Sequence, residues 1–438
     1  MAIPTKVSIL AFQVGFGDCL LLRFHYASGG DKHLLIDFGS YPKAAWLAGD
    51  GMRRIAETIK SQCGGKLDGL VATHRHADHI NGFTTDEDDP GSVIASCHPD
   101  VVVQPWTEDP DARTDATKPT AAFMAGFTSR DEGERRRAFG RGRLFVDSLD
   151  ALRGLLPIID QEVAAFRNRG EWDAANQLSF FGENGLSNLA AVKNLMNMGE
   201  SGSARYVFHG AESGLEAVLP GVKVTVLGPP TLEQTSTIRR YAAKAPDEYW
   251  LTLTNTSLRM KNGGPPLFPR YDAVSHDDAP AYARWLIGRL RTLRGRQLLE
   301  LVRSLDSVLN NTSVVLLFEV GDRKLLFPGD AQLENWSFAL AQPGVSASLQ
   351  DVNFYKVGHH GSLNATPKTL VWENFHTRSH GLKTAVSTLE DVHGGKNGKP
   401  TEVPRETLVT ALKLESIFVT TQDLPHEPGA FAEVTVEV

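Results

Sequence analysis

Apolar positions in this chain gather into short runs bounded by turn residues, and these runs predict its elements. KVSILAFQV (6–14) reads as a strand and is followed by a glycine turn, GFGD. CLLLRFHY and KHLLIDFGS predict two more strands of a hairpin or meander. Residues 44–63 carry apolar positions at helical spacing and predict an amphipathic helix. KLDGLVATH predicts a short buried strand, and ASCHPDVVVQPW another. Between 107 and 205 the pattern changes to charged, strand-poor, helix-spaced sequence such as LDALRGLLPIIDQEVAAFRNRGEW, which predicts a helical insertion. VKVTVLGPP (222–230) restores a strand. A second, mostly helical insertion over 232–305 ends in a long predicted helix. TSVVLLFEV and RKLLFPGD follow as strands, then a helix near AQLENWSFALA. VNFYKVGHHGS, LKTAVSTL, ETLVTALK, SIFVTTQD and FAEVTVEV complete a second strand-rich half. Two strand-rich halves with intervening helices predict an α/β fold. Sheets pack on each other with helices outside, as one domain over 1–438 interrupted by the two insertions.

Composition narrows this picture only slightly. A chain of 438 residues with 41% hydrophobic and 22% charged residues buries a large core without disulfides or structural staples. A net charge of −7 makes the whole chain no general attractor of nucleic acid, although local patches can be basic. The three cysteines, Cys19, Cys63 and Cys97, form no CxxC pair and no even framework, which fits a reducing compartment. The opening residues lack a secretory pattern and no apolar run reaches membrane-spanning length, so a cytoplasmic location without membrane contact is expected.

The chemistry concentrates at predicted strand ends. VATHRHADHINGF (71–83) places three of the chain's 14 histidines and an aspartate within six positions. His74 and His76, two apart on a loop leaving a strand, can turn toward one ion, and Asp78 and His79 can serve a second ion beside it. Two cations want a bridging carboxylate, and LLFPGD supplies Asp330. A further imidazole is offered by YKVGHHGS, at His359 with His360 as the alternative. Imidazole and carboxylate together suit one or two zinc ions, with manganese or iron also compatible. Strand C-termini are where open α/β sheets place their sites.

HxHxDH followed by strand–GD and strand–HHGS resembles the metallo-β-lactamase superfamily. The branch found in ComEC-type competence proteins, and free-standing bacterial hydrolases of the same fold, are the nearer likeness. They share the VGxGD turn (Val14 to Asp18), LLIDFG with Asp37, and NNTSVVLLFEVGDRKLLFPGD. The likeness covers about 1–106, 206–231 and 306–438. It implies an αββα sandwich and a metal-dependent hydrolase in which a cation-activated hydroxide attacks the substrate. His74 and His76 would hold the first ion, and Asp78, His79 and one HHGS histidine the second. Asp330 would bridge, Asp37 would orient a ligand histidine, and Asp78 would double as proton acceptor. The family's usual third histidine of the first ion is replaced by Asn310 and Asn311, unless His209 or His393 substitutes.

Blander readings stand beside these. Asp18 is as well explained by a structural glycine turn as by lining the site. Asn310 and Asn311 can cap a helix or start a strand. Six arginines in RDEGERRRAFGRGR (130–143), among them Arg135, Arg136 and Arg137, and six more between 284 and 303 can be solvated helix faces. They can also grip phosphate, which points to a phosphodiesterase or nuclease acting on nucleic acid or a nucleotide. The rivals are a small-molecule ester, lactone or phosphocholine-type hydrolase, and a non-catalytic protein with a vestigial metal site whose insertions bind a protein partner.

Overall fold

The computed structural model describes residues 2–86, 88–111, 118–119, 156–172, 174–176, 178–179, 188–235, 309–362, 365–390, 392–394 and 401–438. In chain order the first half holds β1 (Lys6–Phe12), β2 (Cys19–His25), β3 (Lys32–Phe38), α1 (Gly51–Gln62), β4 (Gly69–Val71), α2 (Ala77–Ile80), α3 (Pro90–Ala95) and β5 (Val101–Pro105). Next come α4 (Leu156–Asn168), α5 (Leu189–Ser201), β6 (Ala204–Val207), β7 (Val222–Gly228), β8 (Val315–Val320) and β9 (Arg323–Phe327). The remainder holds α6 (Leu333–Leu340), α7 (Val345–Gln350), β10 (Phe354–Lys356), β11 (Lys383–Val386), β12 (His393–Gly394), β13 (Thr401–Val403), α8 (Glu406–Glu415), β14 (Ile417–Thr420) and β15 (Phe431–Glu437).

The strands form a seven-stranded sheet, ordered β15-β1-β2-β3-β4-β5-β6, a six-stranded sheet, β14-β11-β10-β9-β8-β7, and the ribbon β12-β13. Both large sheets are mixed. β1 to β3 run antiparallel and β3 to β6 parallel, while β7 to β9 run antiparallel and β9, β10, β11 and β14 parallel. Parallel strands covered on both faces read as continuous apolar runs, and β4 and β5 are buried throughout.

Alternation along the strands sorts side chains between two apolar layers. Leu22, Phe24, Leu34, Ile36, Val71 and Val103 of the first sheet meet Val224, Leu316, Phe318, Leu325, Phe327 and Phe354 of the second in one core. On the other face of the first sheet, Leu10, Phe12, Leu35 and Leu70 pack with Ile55 and Ile59 of α1, Ile94 of α3 and Leu195 of α5. On the other face of the second, Leu317, Leu326 and Tyr355 pack with Trp336 of α6, Leu349 of α7 and Leu412 of α8. Helices therefore cover the outer face of each sheet.

Three expectations change. ETLVTALK forms helix α8 rather than a strand. Its β-branched residues suggest extended structure, but Leu408, Ala411 and Leu412 share one face against the core, at helical spacing. The loop expected to carry the histidines contains the single turn α2, which bears Asp78 and His79. β6, inside the stretch read as helical insertion at its start, extends the first sheet beside β5. Of the insertions, α4 and α5 are helical as expected, whereas 236–308 lies outside the described residues. Among the described residues, no helix is long and apolar enough to cross a membrane.

Candidate metal centre

The C-terminal ends of β3, β4, β9, β10 and β11 lead into one cluster. Its entry is set by close backbone contact. The Asp18 N–H donates to the Asp78 carbonyl at 2.8 Å, and the Gly39 N–H to the Asp18 carbonyl at 2.9 Å. A Cβ on Gly17 would collide with the Gly39 carbonyl, and one on Gly39 with the His79 amide. Glycine at both positions is what lets the GFGD turn, the end of β3 and α2 touch.

His74 (1% exposed), His76, Asp78, His79, Asp330 and His360 are all buried here, together with Asp18 and Asp37. The imidazoles converge on one oxygen. From Asp330 Oδ2, His79 Nε2 lies at 3.2 Å, His359 Nε2 at 3.7 Å, His74 Nε2 at 3.9 Å and His360 Nε2 at 4.0 Å. His360 Nε2 also lies 3.2 Å from Asp78 Oδ2, and His74 Nε2 lies 3.0 Å from His76 Nδ1. The rings neighbour one another in sequence around the carboxylate: His76–His74 at 4.7 Å, His74–His79 at 4.2 Å, His79–His360 at 5.4 Å and His360–His359 at 6.1 Å between centroids.

The outward ring nitrogens fix which nitrogen faces in. The Ser387 carbonyl, which can only accept, sits 2.9 Å from His360 Nδ1, so that nitrogen carries the proton. Asp37 Oδ2 holds His79 Nδ1 at 2.8 Å. Thr73 Oγ1 donates to Asp37 Oδ2 at 2.7 Å and so accepts from His74 Nδ1 at 3.1 Å. Each of these imidazoles therefore turns Nε2 inward, the arrangement by which protein sites orient metal-ligating histidines. Asp37 reaches this position because it is the extra residue of a bulge. Cys19 pairs with Phe38 and Leu20 with Ile36, which leaves Asp37 unpaired at φ 55°.

Charges follow the same layout. Burial alone would drive protons off His79 and His360. The carboxylates of Asp330, Asp37 and Asp78 around His79 reverse this strongly, and the Asp78 hydrogen bond and Asp330 do so for His360, so both bind protons more readily than free imidazole. Burial would raise Asp78 and Asp330, but the surrounding histidines hold both carboxyls well below the usual carboxylate range. Burial lowers His74 and His359, and takes His76 down to about 4, which leaves these rings neutral. Asp78 Oδ1 and both carboxylate oxygens of Asp330 are buried without a hydrogen-bond partner among the described residues. Anionic oxygens left bare beside inward imidazole nitrogens are the donor set a cation fits.

Asp18, His79, Asp330 and His360 thus form a buried group that could hold a metal ion. Asp18 stands on a different side of the histidines from the other two carboxylates. It faces Nδ1 of His79 at 3.8 Å and of His360 at 4.0 Å, whereas Asp330 and Asp78 face the Nε2 atoms. Its carboxylate is taken up by Lys356, whose Nζ lies 2.8 Å from Oδ1 and 3.0 Å from Oδ2. Burial would raise Asp18, and Lys356 reverses this to keep it ionised. Lys356, 2% exposed, was missed in the sequence. It reads there as one polar residue in a buried strand, and its partner is 338 positions away.

Of the two HHGS histidines, His360 is the one that meets Asp78, while the His359 side chain keeps 26% exposure and meets Asp330. Asn310 is buried and Asn311 half-buried. Among the described residues the carbonyl oxygens of both side chains lack hydrogen-bond partners, and the strand they precede is tied to the site by the Val314 N–H on the Thr73 carbonyl at 2.9 Å. His209 is elsewhere, donating from Nδ1 to the Leu227 carbonyl at 2.9 Å with its ring against Phe338. Arg135, Arg136, Arg137 and the second group of arginines lie outside the described residues, as does the side chain of His393. Arg75, between the two ligand-type histidines, turns away to a bidentate pair with Glu108 at 2.6 and 3.0 Å. No protein-family model matches the chain, and no curated protein matches it.

Proposed function

We propose that the protein is a metal-dependent hydrolase of the metallo-β-lactamase αββα type, acting on phosphodiester bonds. One observation carries the metal reading. The Nε2 atoms of His74, His79, His359 and His360 lie within 4.0 Å of Asp330 Oδ2, and among the described residues no other hydrogen-bond donor reaches that oxygen. In this reading His74 and His76 would hold one cation, Asp78, His79 and His360 would hold a second, and Asp330 would serve both. Zinc suits the imidazole-rich set, and manganese or iron are compatible with its carboxylates. A pair of divalent cations, when bound, activates water near neutral pH and screens negative charge on the substrate. The chain's own contribution is positional. Asp37, Thr73 and the Ser387 carbonyl hold the rings in one tautomer, and the Asp78 carboxylate, kept ionised, would be the proton acceptor.

The phosphodiester assignment rests on the ComEC-like motifs and on the arginine-rich runs of the insertions. Its test is hydrolysis of bis-p-nitrophenyl phosphate and of labelled single- and double-stranded nucleic acids by metal-loaded protein. Cleavage that raises KM, and loses salt dependence, when Arg135–Arg137 are changed to glutamate supports a polynucleotide substrate. Turnover of esters or lactones with no phosphodiester cleavage would replace it with the small-molecule reading.

A further inference from the structure

The cluster has one imidazole more than a single-ion reading of the HHGS motif uses. His74 and His76 bring two nitrogens to 3.0 Å of each other and need a third donor to complete an imidazole set. Asn310 and Asn311 offer no imidazole, and His209 is committed to the Leu227 carbonyl. Among the described residues, His359 is the remaining histidine at the cluster. Its Nε2 stands 3.7 Å from Asp330 Oδ2, beside the 3.9 Å of His74.

The backbone gives an independent reason. Successive side chains of an extended chain point to opposite faces, so adjacent histidines do not ordinarily reach one carboxylate. Here His359 and His360 both take left-handed conformations, at φ 44° and 52°. A non-glycine residue is strained there, and such strain persists where the surroundings over-determine it, typically at a functional site. The doublet turns both rings onto Asp330. Nδ1 of His359 is buried without a hydrogen-bond partner among the described residues, so no outward hydrogen bond among them accounts for the ring's placement.

We infer that His359 is the third imidazole of the first ion, so that the two histidines of HHGS serve different ions: His360 with Asp78 and His79, His359 with His74 and His76. This rests on the metal-centre reading above, and the two fail differently. The test titrates the full-length, metal-stripped chain with Zn2+ against a chromophoric chelator. Wild type should take up two equivalents, and uptake of none overturns the metal reading itself. His359→Gln should keep one equivalent at wild-type affinity and weaken the other at least about tenfold. His74→Gln/His359→Gln should affect that same single equivalent, whereas His359→Gln/His360→Gln should weaken both. His359→Cys, which restores a zinc donor, should recover the lost zinc site and confirm that the variants fold. Unchanged affinities in His359→Gln, loss of an equivalent in His209→Gln, or one intact site in His359→Gln/His360→Gln would each overturn the inference.

Discussion

Lys356 and Asp18 make a sharp test because the geometry distinguishes two roles for Asp18. If Asp18 ligates an ion, replacing it removes a donor. If it neutralises Lys356 behind the histidines, its loss should be repaired by removing the lysine. Both side chains are at most 3% exposed, and Nζ lies 2.8 and 3.0 Å from the two carboxylate oxygens. Removing one partner of such a buried pair strands a charge in low dielectric, at a cost of about 3–5 kcal/mol. Among the described residues Asp18→Asn leaves the ammonium with only the Val357 carbonyl at 3.0 Å, and Lys356→Met leaves a carboxylate near Asp330. Either single change should destabilise the metal-free protein by that amount. The double change, in which methionine fills the lysine stem's volume, should fall within about 1–2 kcal/mol of wild type, a coupling on the order of 4–9 kcal/mol. Urea unfolding in chelator measures the cycle, and zinc titration of the same four proteins supplies the second readout. The double variant should bind zinc nearly as wild type does. Additive stability losses, or zinc binding lost equally in Asp18→Asn and the double variant, would refute the positional role and make Asp18 a ligand.

Further outcomes follow from the same geometry. Asp330→Ala should abolish hydrolysis while circular dichroism stays that of wild type, because the side chain serves the cluster and not the apolar layers; near wild-type turnover would reduce Asp330 to a turn residue. Zinc affinity should rise with pH. His79 and His360 hold protons more firmly than free imidazole when no ion is bound, so below their folded pKa values binding must expel protons, and affinity gains about tenfold per pH unit per proton displaced. Calorimetry in buffers of different ionisation enthalpy counts those protons, and a pH-independent affinity between 6 and 8 would contradict the assignment. Phe318→Ala should cost about 3–5 kcal/mol in urea unfolding, since Phe318 is fully buried between the sheets with rings of Phe24 and Phe327 at 6.1 and 5.6 Å; a loss below about 1 kcal/mol would mean the sheets do not share that core.

Much of this architecture is legible in the chain because strand-length apolar runs and turn glycines are local signals. β1, β2, β3, β8 and β9 fall within the runs that predict them. The HxHxDH, GD and HHGS segments likewise announce a cluster, since each ends a predicted strand. What stays hidden depends on contacts or backbone angles that spacing does not encode. His359 and His360 are chemically identical neighbours, and only their left-handed backbone decides where each ring goes. Lys356 is one polar residue in FYKVG until Asp18 appears opposite it. Asp37 gains its aim from a bulge whose register is set by pairing with β2. In ETLVTALK, helix and strand preferences conflict locally, and burial of Leu412 against the second sheet resolves them.

The most direct measurement is elemental analysis of the purified protein, paired with metal titration of a chelator-stripped sample. The account predicts one to two equivalents of zinc, manganese or iron as isolated and two sites on titration, held by the carboxylate oxygens that the fold leaves bare beside inward imidazoles. A preparation that carries no transition metal and takes up none would contradict it.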